Sequence, residues 1–309
     1  MSNSRSINPL RILNPLPVTE SILTASSVTE NDYAAWNAAT AYNVGDRVIR
    51  TSTHRVYERL IAGTTATAPE SDAANWLDVS ATNRWKMFDS VVSSQTTSAA
   101  SIVVTLTPGT THNAVALVNV TGTSVRIKQT NTTDGVVYDA TIQLQAPPTR
   151  ADWWTYFFEP IYNKQTALAL DMPTYGVGTT VEITIANTGG NAACGALLIG
   201  TAIAVGELGV QRGAQIGITD YSRKERNAFG ESIIVERAWN KRAVMDVLIP
   251  NGQVDSVQSL FASIRAVPTL WVGSENFESL AIYGFYKDFA AVIAYPDFSQ
   301  CHLEIEGLI

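Results

Sequence analysis

From Val91 to about Ile199, apolar residues recur at every second position. Ile102, Val104 and Leu106 share one face, as do Val115 and Leu117, Val125 and Ile127, Ile142 and Leu144, and Val181, Ile183 and Ile185. Many of the neighbours between them are Ser, Thr, Gln, Arg, Lys or Glu. Successive side chains of a strand point to opposite sides, so this period makes strands with one buried face. The runs are broken at Pro108-Gly109, Gly122, Asp134-Gly135, Pro147-Pro148 and Gly176, which are turn residues. Short strands at such spacing predict an antiparallel sandwich or jelly roll.

The rest of the chain is arranged around that block. With 309 residues, 46% of them hydrophobic, there is material for one large core or two to three small ones. Residues 1–32 read as an extended arm, because Pro9, Pro15 and Pro17 resist helix. Its Leu10, Ile12, Leu13 and Leu16 need cover, and a neighbouring subunit is the expected source. The stretch has no continuous apolar core, so it does not read as a secretory signal. Residues 33–80 form a first small module, 81–200 the sandwich, and 201–309 an α+β region. Within the last, Ala243–Pro250 reads as a strand. Val254, Val257, Leu260, Phe261 and Ile264 then fall at helical spacing, and Pro268 ends the helix. Three further strands are expected at Thr269–Val272, Leu280–Tyr283 and Phe289–Tyr295, with a final one carrying Cys301, Leu303 and Ile305. The expected class is therefore mainly β: a small three-stranded module, an antiparallel sandwich, and an α+β end with one clear helix.

The first module carries Trp36, Tyr42, Gly45-Asp46, Val48, Tyr57, Pro69 and Trp76. This pattern resembles the small chitin-binding type of carbohydrate-binding module. The resemblance implies saccharide binding, with Tyr42, Tyr57 and Trp76 stacking on the apolar face of a pyranose. Glu58-Arg59-Leu60-Ile61 departs from it, because the family's stacking aromatics usually follow the second Tyr. A module of this size also needs its rings as core, and Trp36 and Trp76 fit that role. Asn83–Asp89 reads as a connector whose aromatics pack the module onto the next domain.

Cys194 to Arg242 divides into a Gly-rich half, expected to be broken into short pieces, and a charged half. Asp220 to Arg242 holds ten charges in 23 residues, against five in the 60 residues from Val91 to Arg150. A mixed-sign belt of this density suits a surface that mates with another protein, or an exposed loop and edge strand with solvated charges. The runs Gly217–Glu225, Phe229-Gly230, Val235–Ala238, Arg265–Pro268, Tyr283–Phe289 and Leu303–Leu308 together resemble a class of tail proteins of tailed bacteriophages. That resemblance implies a virion tail or baseplate component, made in the bacterial host cytoplasm. Its partners would be other tail proteins and further copies of itself in a ring or collar. Asp220, Arg223, Lys224, Arg226, Arg237 and Arg242 are the expected subunit contacts. Host-surface polysaccharide is a further expected partner, through residues 33–80, and this gives the alternative reading of a receptor-binding protein.

Several classes find no support. The net charge of −7 is ill suited to a phosphate backbone, so no nucleic-acid partner is expected. No apolar run approaches the length of a membrane span. Cys194 and Cys301, far apart, read as free buried thiols of a protein folded under reducing conditions. The three histidines, His54, His112 and His302, sit in no metal-type or triad-type pattern, and no cofactor motif appears. The aromatic run Trp153-Trp154-Thr155-Tyr156-Phe157-Phe158 reads either as a sugar groove or as a strand buried on both faces. Asp152, Glu159 and Asp171 lie near it, but nothing pairs two of them for glycoside cleavage, and no enzyme activity is expected.

Overall fold

The computed structural model describes residues 9–145, 153–158, 163–206, 209–226, 229–275, 277–293 and 295–309. It is mainly β, with a large antiparallel sheet, a small three-stranded sheet and a ten-residue helix near the C-terminus.

Strands β1 (Leu10–Pro15) and β2 (Leu23–Ser26) open the chain. β1 lies inside the large sheet, antiparallel to Gly200–Val205 on one side and to Leu270–Val272 on the other. Leu10 and Ile12 enter one core and Leu13 another. The cover expected from a neighbouring subunit is thus supplied by the chain itself.

The small module follows as β3 (Arg47–Arg50), β4 (Arg55–Arg59) and β5 (Trp76–Ala81), paired in that order. It is joined to the body by the predicted connector. His54 stacks on Trp85 at 4.1 Å between ring centroids. Trp85 and Met87 belong to the core of the sandwich beyond it.

The sandwich contains β6 (Thr96–Leu106), β7 (Ala114–Thr121), β8 (Ser124–Asn131), β9 (Gly135–Gln143), β10 (Thr166–Ala169) and β11 (Thr179–Val205). Between β9 and β10 lies a short helix α1 (Trp153–Phe158). The alternating residues meet as predicted: Ile102, Val104, Leu106, Val115, Leu117, Val125, Ile127, Val181, Ile183 and Ile185 share one core. β11 does not break at its glycines. It pairs with β8 and β6, crosses at Ala186–Asn191, continues along β7 and ends on β1. A Cβ at Gly195 would sit 2.2 Å from the Val92 carbonyl oxygen, and one at Gly200 2.1 Å from that of Asn14. These glycines serve close backbone approach rather than turns.

α1 also differs from expectation. The aromatic run is helical, with Trp153 and Phe157 one turn apart and their rings stacked 6.3 Å apart. Trp153, Phe157 and Phe158 are exposed rather than buried on both faces of a strand. Arg150, Asp152 and Glu159 lie outside the described residues.

The C-terminal region holds β12 (Gln215–Asp220), β13 (Arg223–Arg226), β14 (Ser232–Val235), β15 (Trp239–Pro250), α2 (Val254–Ser263), β16 (Thr269–Val272), β17 (Ala281–Val292) and β18 (Phe298–Gly307). The order β16-β17-β18-β15-β12 continues the large sheet from β1. Helix α2 lies where its periodicity put it, with Val257, Phe261 and Ile264 packed among Ile12, Trp271 and Leu303. Phe261 stacks on Phe289 at 4.2 Å. The strands expected at Leu280–Tyr283 and Phe289–Tyr295 are largely one strand, because Gly284 permits contact instead of a turn: a Cβ there would meet the Glu306 carbonyl oxygen at 2.1 Å. Both cysteines are buried and unbonded to each other.

Two outcomes follow. Gly200→Ala and Gly284→Ala should each destabilise the chain by about 1–3 kcal/mol or more, read as a lower denaturant midpoint, because backbone must move to admit the methyl. Burial pushes the Cys194 thiol up to about 12 and the Cys301 thiol to about 11, from an ordinary value of 9.0. Their contribution to stability is present below the ordinary value and is lost as pH rises through the folded one. At pH 8 neither thiol should react with a disulfide reagent until denaturant is added, when both should.

Candidate interaction surface

Two places in the structure answer to the residues singled out from sequence: the small module and a long hairpin in the C-terminal region.

In the module, the Tyr-x-x-Gly-Asp run builds a turn. Gly45 takes φ of +89°, which favours glycine, and Asp46 accepts the amide of Asn43 at 2.7 Å. The turn places Tyr42 edge-on against Trp76, with ring centroids 5.2 Å apart. The other predicted sugar contact, Tyr57, packs with them and Val48. All three are thus brought together, but as a core. Trp76 is 2% exposed and Tyr57 4%. The Arg59 guanidinium lies over the Trp76 ring at 4.9 Å, and that of Arg50 lies over Trp36 at 5.0 Å. A pyranose needs an open ring face, and Tyr57 and Trp76 have none to offer. The motif that resembles a sugar site is the folding motif of a three-stranded sheet too small to spare its aromatics. Arg59 itself is buried, with its Nε and Nη1 unpartnered among the described residues.

The hairpin is the opposite case. β12 pairs with β15 from Gln215↔Val244 to Asp220↔Trp239. Tyr221 continues the ladder to Ala238, and β13 pairs with β14 from Arg223↔Val235 to Arg226↔Ser232. β12 is the last strand of the large sheet in this direction, and β13 and β14 pair only with each other. Every residue of β13 and β14 is exposed. Arg223 and Glu225 share a side with Val235 and Ile233, while Lys224 shares the other with Ile234. The ribbon therefore presents β-branched side chains on both faces. The edge strand adds Ile216 and Ile218, 57% and 69% exposed.

The charges divide into two sets. Lys224 bonds the Asp220 carboxylate at 2.7 Å, and with Ser222 it holds that carboxyl well below the usual carboxylate range. Arg223 pairs with Glu225, and Arg242 lies 3.9 Å from Glu304. Pairs this exposed hold local geometry and add little stability. Arg226 and Arg237 form no ion pair among the described residues. From Asp220 to Arg242 there are six cations and four anions, a local net of +2 in a chain of net −7. Glu306 closes the base of the hairpin, accepting from Tyr221 at 2.9 Å and Asn240 at 3.1 Å. These two donors, Asn240 first, lower its carboxyl below the ordinary range.

Sequence reasoning identified the charges here and missed the apolar residues between them. The signal was Ile233-Ile234-Val235, three β-branched residues without alternation inside the charged belt.

No protein-family model matches the chain, and a search of curated proteins finds none similar to it. Among the described residues no group of three or more His, Cys, Asp or Glu could hold a metal ion, and no helix is long and apolar enough to cross a membrane.

Trp76→Ala should cost about 3–5 kcal/mol, the range for deleting a buried large aromatic. It should unfold the module, seen as exposure of the 33–80 backbone to limited proteolysis, while a Leu77→Ala control on the exposed face of the same strand changes little.

Proposed function

We propose that this chain is a structural subunit of a bacteriophage tail or baseplate and that it works as a homo-oligomer joined through the hairpin of residues 215–244. The observation that carries the assembly part is the hairpin itself: a strand at a sheet edge, continued into a ribbon with apolar side chains on both faces. An exposed edge strand is a template for pairing with another chain, and chains that stay monomeric guard such edges with lysine, proline or inward charges. Gln215–Asp220 has none of these before its final aspartate.

A second copy is the partner that fits the charge. The hairpin is locally cationic and the rest of the chain is acidic, so one subunit's ribbon meets favourable potential over most of another's surface. Arg226 and Arg237 are the cations placed to find carboxylates there. A ring requires a heterologous contact, the hairpin of one subunit on a different patch of the next. The tail part of the proposal is supported by the resemblance carried by Gly217–Glu225, Val235–Ala238, Tyr283–Phe289 and Leu303–Leu308. The burial of Tyr57 and Trp76 disfavours the receptor-binding alternative in the form that uses residues 33–80.

Two measurements test this. In sedimentation equilibrium the full chain should be oligomeric, and Ile218→Lys with Ile234→Lys should dissociate it by at least tenfold in Kd, with an unchanged far-ultraviolet spectrum. Both sites are exposed, so the fold tolerates the change. A monomeric parent, or an oligomer indifferent to both substitutions, would refute the interface. For the biological setting, mass spectrometry of density-purified particles should find the chain at a fixed low copy number per particle. Its absence from particles would refute the tail assignment while leaving the interface standing.

A further inference from the structure

Strand β15 carries the hairpin at one end and a surface of opposite character at the other. At the Trp239 end its ladder with β12 continues through Tyr221 and Ala238 into the ribbon of β13 and β14. At the far end Pro250 pairs with Phe298 of β18. Twelve residues of strand put the two ends about 36 Å apart, at roughly 3.3 Å per residue. The ribbon therefore leaves its own subunit in the direction away from Pro250.

The Pro250 end is apolar and held in place. Val292, Ile293 and Tyr295, where the chain passes from β17 to β18, are all exposed, Ile293 by 72%. Asn251, which follows Pro250, ties them down. Its Nδ2 donates to the carbonyls of Tyr295 at 2.9 Å and Pro296 at 2.8 Å, and its Oδ1 accepts from the Ser299 hydroxyl at 2.6 Å. Its backbone N–H donates to the Asp297 carbonyl at 3.1 Å. The Tyr295 ring stacks on Phe298 with centroids 4.5 Å apart.

The same end is acidic. Residues 246–264 and 288–306, which these contacts bring side by side, hold six carboxylates and neither Lys nor Arg. Three of the six are used within the chain: Asp246 pairs with His302, Glu304 with Lys287, and Glu306 accepts from Tyr221 and Asn240. Asp255, Asp288 and Asp297 are exposed and form no ion pair among the described residues. Asp255 stands in the first turn of α2, three residues after the Asn251–Gln253 turn, so it lies at the same end as Asp297.

We propose that this end of the subunit, centred on Ile293, Tyr295, Asp255 and Asp297, is the surface on which the hairpin of a second copy docks. The inference rests on the assembly proposed above and supplies its other half. The hairpin offers β-branched side chains with Arg226 and Arg237 unpaired; the Pro250 end offers apolar side chains with Asp255 and Asp297 unpaired. Hairpin against hairpin would instead set one local net of +2 against another, which disfavours a two-fold contact there. With the two halves at opposite ends of one strand, each subunit presents one of each, and the contact repeats head to tail.

The test is sedimentation equilibrium of two full-length variants, alone and mixed. Ile218→Lys with Ile234→Lys disables the hairpin, and Ile293→Lys with Asp297→Lys disables the Pro250 end. All four positions are exposed, and an unchanged far-ultraviolet spectrum checks the fold. Asp255→Lys with Asp297→Lys is a second variant that changes charge alone. Each should weaken self-association at least tenfold in Kd. Mixed in equal amounts, the hairpin variant and the Pro250-end variant should form a one-to-one heterodimer and nothing larger, because one intact hairpin and one intact acceptor remain. If the hairpin variant dissociates while both Pro250-end variants associate as the parent does, this inference is overturned and the hairpin contact stands, on another patch or on a second hairpin. Two variants that stay monomeric when mixed also overturn it. A monomeric parent overturns the assembly and this inference together.

Discussion

One strand ties the body together. β11 runs for 27 residues from Thr179 to Val205, and its side chains enter all three cores outside the small module. Val181, Ile183, Ile185, Leu197 and Ile199 fill the sandwich, Ala196 and Leu198 the layer behind it, and Val205 the C-terminal core under α2. A strand covered on both faces must be apolar at successive positions, and Cys194–Gly200 is. It must also let neighbouring backbone come close, and Gly195 and Gly200 do so at positions where any Cβ would collide. The sandwich and the C-terminal region therefore share a backbone ladder. Moving one moves the other.

The hairpin inverts this economy. Beyond β15 the sheet has one more strand and then a ribbon, both rich in isoleucine and neither covered by the chain. A polypeptide able to tuck Leu10, Ile12 and Leu13 of its first strand into its own sheet has the means to bury Ile216, Ile218 and Ile234 as well. Leaving them outward, on a hairpin whose Arg226 and Arg237 form no ion pair among the described residues, is intelligible as one half of an interface. The Glu306 contacts to Tyr221 and Asn240 anchor the base of the ribbon to the last strand, so the projecting part starts from a fixed direction.

Much of the fold was legible because alternation and helical spacing act locally. The faces of β6, β8 and the first part of β11, the apolar stripe of α2, and the alternation of Cys301, Leu303 and Ile305 needed only the order of residues. Glycine was misread at Gly195 and Gly200, because a glycine in a turn and a glycine beneath a crossing backbone look the same in one dimension. Trp153–Phe158 misled through composition: five aromatics suggested burial, whereas the run is a short helix with Trp153, Phe157 and Phe158 exposed. The module showed the reverse limit. Its motif was visible, but whether Tyr57 and Trp76 face a ligand or each other depends on how few other residues could fill the core. At the hairpin, charge was conspicuous and drew attention from Ile216, Ile218 and Ile233–Val235, whose importance lies in having nothing above them. Nothing in the sequence brought Asn119, Trp239, Asn240 and Tyr283 to one cavity, since they lie on β7, β15 and β17, far apart along the chain.

The most direct measurement is hydrogen–deuterium exchange on the intact chain at working concentration, followed by peptide across residues 209–250. Strands as exposed as β13 and β14, and the outward amides of β12, exchange quickly in a single subunit. If the hairpin is a subunit contact, they will exchange slowly, approaching the protection of β11. If the hairpin exchanges fast while β11 is fully protected, the ribbon is solvated, and the assembly assigned to it is wrong.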